Sequence, residues 1–162
     1  MEPLDYILQF MAAGIGTLAF AVVLNAPKKE YILCAVNGAI AWLSYLLMKE
    51  MGAGVTMACM VSTFVITLIS RVFSAVRKNP STVFLVTAIF PLVPGAGIYY
   101  TVYYLIMEDF SAAGSKAMET FEIAGGIVLG IIFGFLIPQG IFGKLASLSK
   151  KEEDGRYQKL DP

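Results

Sequence analysis

The sequence has no histidine and little charge for its length. Its 162 residues include 12 basic and 12 acidic side chains, so the net charge is zero, while 57% of the residues are hydrophobic. The lack of histidine excludes Ser-His or Cys-His nucleophile activation and the usual histidine-containing zinc sites. Balanced charge without a basic block is also atypical of proteins that bind nucleic acid. We therefore expect no nucleic-acid partner, no metal and no cofactor.

The few charged residues are distributed unevenly along the chain. Soluble helices need a polar face, whereas apolar runs of about 18 or more residues are typical of membrane-spanning helices. We therefore predict an all-α polytopic transmembrane helix bundle that is not an enzyme, since no carboxylate pair for general acid-base chemistry lies inside the apolar runs. The runs that hold no Asp, Glu, Lys or Arg are 6–27, 31–48, 51–70, 79–107 and 123–143.

Helix start and stop signals within these runs predict five spans. Residues 1–143 then form the transmembrane domain, and 144–162 form a polar cytoplasmic tail. The acidic N-terminus lacks the positive region of a signal peptide, so we expect the first helix to stay in the mature protein. The predicted spans lie near Leu4–Leu24, Tyr31–Met48, Gly54–Arg71, Ser81–Met107 and Thr120–Phe142.

The positions of lysine and arginine predict the orientation of the spans. If all five segments cross, ten of the twelve basic residues lie on one side, and only Lys49 and Lys116 lie on the other. A fourth segment that returned to its own side would divide the basic residues equally, so a full crossing is favoured. By the positive-inside rule the N-terminus is outside and the tail is in the cytoplasm.

Small residues predict close helix packing. Gly126, Gly130 and Gly134 recur every four residues, which leaves one stripe of the fifth helix without side chains and lets another backbone approach. Cys34 and Cys59 each lie inside a charge-free run, so we interpret them as small apolar helix residues and not as a disulfide or metal pair.

The fourth span contains the segment PLVPGAG at residues 91–97. Each proline lacks an N–H group and crowds the carbonyl four residues back, so Pro91 and Pro94 should disturb the helix at two successive positions. Gly95 and Gly97 permit backbone angles that other residues resist. About 15 Å of helix lies on either side, so we predict a fourth helix broken at the bilayer midplane.

A break at that depth must be buried in protein or line a cavity. Broken helices form the central sites of many secondary transporters, where the second half-helix points amide groups at an anionic substrate. The predicted donors are the amides of Gly97, Ile98 and Tyr99. The carbonyls of Thr87 and Phe90, freed by the prolines, could hold an ammonium group or a cation. The alternative is a structural kink that neighbouring helices satisfy.

Other polar groups at membrane depth extend this candidate site. Tyr99 and Tyr100 lie deeper than an aromatic belt, so one of them is a candidate hydrogen-bonding group in the cavity. Asn37 in the second span is either a site residue or a structural polar group. Glu122 either complements the dipole of the fifth helix or takes part in proton coupling.

Several of these motifs resemble the threonine/serine exporter (ThrE-like) family. They are the Pro91–Gly95 element followed by Tyr99, the Asn25–Pro27 segment after the first helix, Gly38 and Pro138. More narrowly, the chain is similar to the short YjjB-type membrane subunit, which corresponds to the C-terminal five-helix half of full-length exporters.

The resemblance implies an inner-membrane exporter of small carboxylate-bearing metabolites, either threonine and serine or dicarboxylates such as succinate. It also implies a second membrane subunit equivalent to the N-terminal half, and a homo-oligomer is a further expectation. A membrane scaffold that transports nothing and is held together by the glycine stripe remains the alternative.

Overall fold

The computed structural model describes residues 3–138, which form six α-helices and contain no β-strand. A short 3-10 turn, Lys28–Glu30, precedes the second helix, and another, Phe90–Leu92, follows the fourth. The predicted tail, 144–162, lies outside the described residues. The helices are α1 (Pro3–Val23), α2 (Tyr31–Glu50), α3 (Val55–Arg77), α4 (Ser81–Ile89), α5 (Gly95–Ile106) and α6 (Phe110–Leu136).

Four of these helices, α1, α2, α3 and α6, are long and apolar enough to cross a membrane. The segments Ser81–Leu92 and Gly95–Ile106 meet the same criterion only as a pair, and their axes are bent by 52°. The described part of the chain therefore has four membrane-spanning helices, or five if the bent pair makes one span. The prediction of an all-α, multi-pass membrane protein is confirmed.

Tight left-handed turns end several helices and keep the connections short. Asn25, Lys78 and Glu108 have φ angles of 52°, 56° and 61°, and Gly52 has a φ of 84°. After Asn25, the Ala26 amide donates to the Ala21 carbonyl at 3.0 Å, the bond that closes a Schellman-type helix end. Such endings leave only a few residues between consecutive helices.

The helix α3 lies at the centre of the bundle, where it contacts α2, α4 and α6. The outer helix α1 packs mainly on α2, while α5 packs mainly on α6. The glycine stripe of α6 faces α3: a Cβ added at Gly126 would lie 2.7 Å from the Thr56 carbonyl oxygen, and one added at Gly130 would collide with the Met60 carbonyl oxygen. A Cβ at Gly134 would collide with the Thr67 side chain. The absence of side chains at these three glycines therefore lets α6 approach α3 closely.

Three predicted helix bounds are wrong. The third predicted span ends at Arg71, but α3 continues to Arg77. The last predicted span runs from Thr120 to Phe142, whereas α6 begins at Phe110 and ends at Leu136. Asp109 caps α6 by accepting a hydrogen bond from the Ala112 amide at 3.0 Å. Two of these errors have one cause: a charged residue does not end a helix if it is exposed beyond the apolar core or, like Arg71, has partners inside the bundle. The helix α6 ends early because Ile137 directly precedes Pro138 and is extended.

Candidate functional site

The interruption between α4 and α5 borders a cavity of about 200 Å³. The residues between the two helices form one wall, and α2, α3 and α6 supply the others. Apart from backbone groups, the lining is largely apolar and aromatic. Its residues are Trp42 and Tyr45 of α2, Val55 and Cys59 of α3, Ile123 of α6, and the continuous segment 91–96.

The start of α5 provides the amide donors that face away from the helix body. The Gly95 amide donates to the Val93 carbonyl at 2.8 Å, and the Ile98 amide donates to the Pro94 carbonyl at 3.1 Å. Amides in the first turn of a helix have no partner within that helix. The available donors are therefore Ala96 and Gly97, and the prediction of Ile98 and Tyr99 as donors is wrong because α5 begins earlier than expected.

The two carbonyls predicted to be free are used by the 3-10 turn. The Thr87 carbonyl accepts from the Phe90 amide, and the Phe90 carbonyl accepts from the Val93 amide at 3.3 Å. The chain tightens into a 3-10 turn after Ile89, and this supplies new donors where the prolines removed the old ones. The prediction of two unsatisfied carbonyls at the break is therefore wrong.

The two glycines of the break are not needed for an unusual backbone angle; one allows close helix packing and the other leaves space in the cavity. Neither Gly95 nor Gly97 has a positive φ. A Cβ at Gly97 would collide with the Thr120 side chain of α6, whereas one at Gly95 would meet nothing within 4 Å. Gly97 thus allows α5 to approach α6, and Gly95 leaves the cavity wall open.

Several predicted site residues lie outside the cavity. Phe90 is 41% exposed and stacks on Phe20 of α1, with ring centroids 3.8 Å apart. On α5, Ile98 is 53%, Tyr99 63% and Tyr100 47% exposed. The tyrosine rings contact one another along the outer face of α5.

Asn37 lies in a buried polar cluster between α2, α3 and α4, away from the cavity. Its Nδ2 donates to Ser70 Oγ at 2.8 Å and to the Phe84 carbonyl at 3.3 Å. Thr87 Oγ1 donates to the same Phe84 carbonyl at 3.1 Å. Because a carbonyl can only accept, the orientation of the Asn37 amide is fixed, and its buried Oδ1 has no hydrogen-bond partner within residues 3–138.

Two charged residues near the ends of predicted spans, Glu122 and Arg71, differ in their surroundings. Glu122 is exposed and directly precedes Ile123, which lines the cavity. Arg71, expected at a helix end, is only 5% exposed and donates to the Gly134 carbonyl at 2.7 Å and the Ile137 carbonyl at 2.5 Å. The end of α6 has free carbonyls and a negative dipole, which stabilise this buried cation.

Five cavity residues outside the segment 91–96 are not indicated as site residues by the sequence: Trp42, Tyr45, Val55, Cys59 and Ile123. One signal could have indicated the first two. Trp42 is the only tryptophan in the chain, and it stacks on Tyr45 with ring centroids 5.2 Å apart. Its Nε1 donates to Gln9 Oε1 of α1 at 2.9 Å, which fixes the indole in the cavity wall.

No group of three or more His, Cys, Asp or Glu side chains that could hold a metal ion occurs within residues 3–138. The cavity instead combines apolar walls with a few polar groups, a composition typical of binding sites for small organic molecules.

Fold and cavity together define a multi-pass α-helical membrane protein in which the turn between two short helices borders a small, largely apolar cavity. The sequence matches the family described as Threonine/Serine exporter, ThrE, over residues 9–137. The chain belongs to this family of membrane exporters.

The chain is also similar to an uncharacterized protein of Haemophilus influenzae. The two are 27% identical over 143 residues, which cover 86% of this chain and 48% of the relative. The chain thus spans about half the length of this curated relative. No solved structure matches the chain.

Proposed function

We propose that the chain is a subunit of a secondary exporter for small carboxylate-bearing metabolites, and that the substrate binds in the cavity at the break. Threonine and serine are the first candidates, and dicarboxylates such as succinate are the second. The observation that carries this proposal is a cavity of about 200 Å³ beside an interrupted helix in a chain of an exporter family. Its volume is below the range of about 300–1,000 Å³ typical of drug-sized ligands, which favours a small metabolite.

The polar groups around the cavity suit a carboxylate. The amides of Ala96 and Gly97 are at the N-terminus of α5, where the helix dipole favours negative charge. The Tyr45 side chain lines the opposite wall and can donate a hydrogen bond from its hydroxyl group. Apolar residues around these donors exclude water and strengthen the interaction.

We further propose five crossings in the bacterial inner membrane, with the N-terminus outside and the tail in the cytoplasm. A re-entrant hairpin would reverse the direction of the fourth segment. A bend of 52° changes its direction without reversing it. Lys28 and Lys29 lie at the same end of the bundle as Arg77 and Lys78, because Glu30 and Arg77 form an ion pair with Nε and Oε2 2.9 Å apart. We call this the lysine-rich end, and the positive-inside rule assigns it to the cytoplasm.

A second membrane subunit, or a further copy of this chain, completes the proposed exporter. No residue of α5 is buried, although the helix follows a break that should lie inside the membrane. The curated relative also has about the same length of chain again beyond the matched part. Both observations favour a partner on the α5 side.

The alternative, a scaffold held together by the glycine stripe, loses its main support. Gly126, Gly130 and Gly134 pack against α3 of the same chain. The stripe is therefore used within the bundle and is not free to hold another subunit.

Counterflow of labelled threonine, serine and succinate in proteoliposomes tests the proposed function. We expect Gly95→Leu to abolish saturable flux by filling the cavity, while expression and assembly are unchanged. Gly114→Leu is the matched control, because a Cβ at either glycine meets nothing within 4 Å and Gly114 lines no described cavity. Normal flux in the Gly95→Leu protein would show that the substrate binds elsewhere.

Glu122 is the proposed residue for proton coupling. We expect Glu122→Gln to remove the stimulation of transport by an imposed proton gradient, while counterflow, which needs no gradient, continues. Unchanged stimulation would exclude Glu122 as the coupling residue.

A further inference from the structure

We propose that an anionic phospholipid binds at the lysine-rich end, with its headgroup against Lys28 and Lys29 and one acyl chain in a groove between α1 and α4. The groove has a volume of about 270 Å³. It shares no lining residue with the cavity at the break, so this site does not depend on the proposed transport function. Its walls are residues 24–27 on one side and Thr82, Val83, Val86 and Thr87 of α4 on the other.

The inner part of the groove is apolar and open to the membrane. Leu24 and Val86, on opposite walls, are 45% and 51% exposed. The hydroxyl group furthest along α4 is already used, since Thr87 Oγ1 donates to two carbonyls of its own helix at 3.0 and 3.1 Å. Thr82 lies about 6 Å nearer the end of the bundle than Val86. The lining therefore changes from polar to apolar in the order in which a phospholipid changes from ester groups to hydrocarbon.

The size of the groove favours an acyl chain over another helix. One turn of an α-helix, about 10 Å across and 5.4 Å long, fills roughly 400 Å³, which is more than the whole groove. One helical turn further into the membrane, the rings of Phe20 and Phe90 stack with centroids 3.8 Å apart and close the groove. A hydrocarbon chain can enter from the end of the bundle and continue over these rings, because Phe90 is 41% exposed.

The cations lie beyond the mouth of the groove, where a headgroup and not a tail would be. Lys28 and Lys29 directly follow the wall residue Pro27, and both are exposed. The adjacent acidic residue is already neutralised: Glu30 is 3% exposed and accepts two hydrogen bonds from Arg77 Nε, at 2.9 and 3.1 Å. The two lysines therefore give this surface a positive potential, which attracts anionic headgroups.

Hydrogen bonds between two connections fix the basic surface next to the groove. Glu30 Oε1 also accepts from Asn79 Nδ2 at 3.1 Å, and Arg77 Nη2 donates to the Lys29 carbonyl at 3.4 Å. These contacts join the α1–α2 connection to the α3–α4 connection, and the exposed Lys78 follows Arg77 directly. Lysines from both connections thus face one region of the bilayer surface. A headgroup with net negative charge matches them, whereas a zwitterionic headgroup does not.

Fluorescence quenching by brominated lipids tests the site, because bromine on an acyl chain quenches a tryptophan that the chain contacts. In a Trp42→Phe background, Phe90→Trp reports on the groove and keeps an aromatic ring against Phe20. Val128→Trp is the matched control. Val128 is 53% exposed and lies about 12 Å from the end of α6, while Phe90 lies about 14 Å from the start of α4. Both proteins are placed in phosphatidylcholine vesicles with a fixed share of brominated phosphatidylglycerol or brominated phosphatidylcholine.

The two reporters should differ in their preference for the anionic lipid. At Phe90→Trp we expect phosphatidylglycerol to bind at least fivefold more tightly than phosphatidylcholine, about the effect of one lysine near an anionic surface. Val128→Trp should show less than a twofold preference. Equal quenching of Phe90→Trp by the two lipids would overturn the proposal. The same preference at Val128→Trp would also overturn it, because the anionic lipid would then surround the whole protein. Quenching of the control alone would mean that protein, and not lipid, covers the groove.

Native mass spectrometry extends the test to the chain without introduced tryptophans. Delipidated protein in a neutral detergent should bind phosphatidylglycerol at least fivefold more tightly than phosphatidylcholine. Lys28→Gln with Lys29→Gln should lower this preference below twofold. Lys49→Gln with Lys116→Gln removes the same charge at the opposite end and should leave it unchanged. Loss of the preference in both double variants, or in neither, would contradict the assignment of the headgroup to Lys28 and Lys29.

Discussion

The two halves of the interrupted segment, α4 and α5, are similar in composition and opposite in environment. Both are short and apolar, and neither contains a charged residue. In α4, Phe84, Leu85, Thr87 and Ala88 are buried against α2 and α3, whereas α5 has no buried residue and packs mainly on α6. One half is therefore fixed in the core, and the other depends on a single neighbour.

This difference indicates which half can move. The contacts of α4 include the hydrogen bonds that join Asn37, Thr87 and the Phe84 carbonyl. The contact of α5 with α6 depends on the close approach of Gly97 to Thr120. A motion that opens the cavity at the break would cost least if α5 moved and α4 stayed in place.

Truncation of one leucine in each helix should give the largest difference between α4 and α5 in lost unfolding free energy. Leu85 of α4 is 4% exposed, and Leu105 of α5 is 47% exposed. We expect Leu85→Ala to lower the free energy of unfolding by about 2–5 kcal/mol, since it leaves a cavity in the core. Leu105→Ala should change it by no more than about 0.5 kcal/mol. Denaturant titration in detergent measures both, and equal losses would refute the distinction between the halves.

Replacement of a polar group that contacts α4 and of one in α5 should give a smaller difference in lost unfolding free energy. Asn37→Leu removes the hydrogen bonds that join α2 to α3 and to α4, and we expect a loss of about 1–3 kcal/mol in unfolding free energy. Thr101→Val in α5 should change stability by about 0.5 kcal/mol or less, because the Thr101 hydroxyl donates to the Gly97 carbonyl of its own helix. If both variants were equally stable, the buried amide would not be an anchor of α4.

A substitution at the contact between α5 and α6 should give the smallest change in unfolding free energy. We expect Gly97→Ala to cost about 1 kcal/mol, at the low end of overpacking, since its new Cβ meets a side chain and not backbone. Adding Thr120→Ala should restore the lost stability, because it removes the colliding atoms. A double-mutant cycle measures this recovery. Additive losses would mean that the two residues do not contact each other in the membrane.

Part of this structure could be predicted because its causes are local. Long charge-free runs specify membrane helices whatever their neighbours are. Proline between residues 89 and 95 prevents a continuous helix because two backbone donors are missing, and the structure has a 3-10 turn there. The number of crossings and their orientation stay predictions.

The lining of the cavity could not be predicted in the same way. Trp42, Cys59 and Ile123 come from three helices that are far apart in the sequence. In a soluble protein a polar face would show which side of each helix is buried. Lipid is as apolar as the core, so a membrane helix has no such asymmetry, and its inward face cannot be recognised from hydropathy.

The sequence by itself determined the environment of the protein, its helical class and the segment between α4 and α5 where an α-helix cannot continue, because each depends on residues that are close together in the chain. Only the tertiary structure decided which of the two short helices α4 and α5 is held in the core, that Arg71 is buried against the end of α6, and which residues line the cavity. These features depend on packing between distant helices, where small residues and buried hydrogen bonds fix the contacts that hydropathy leaves open.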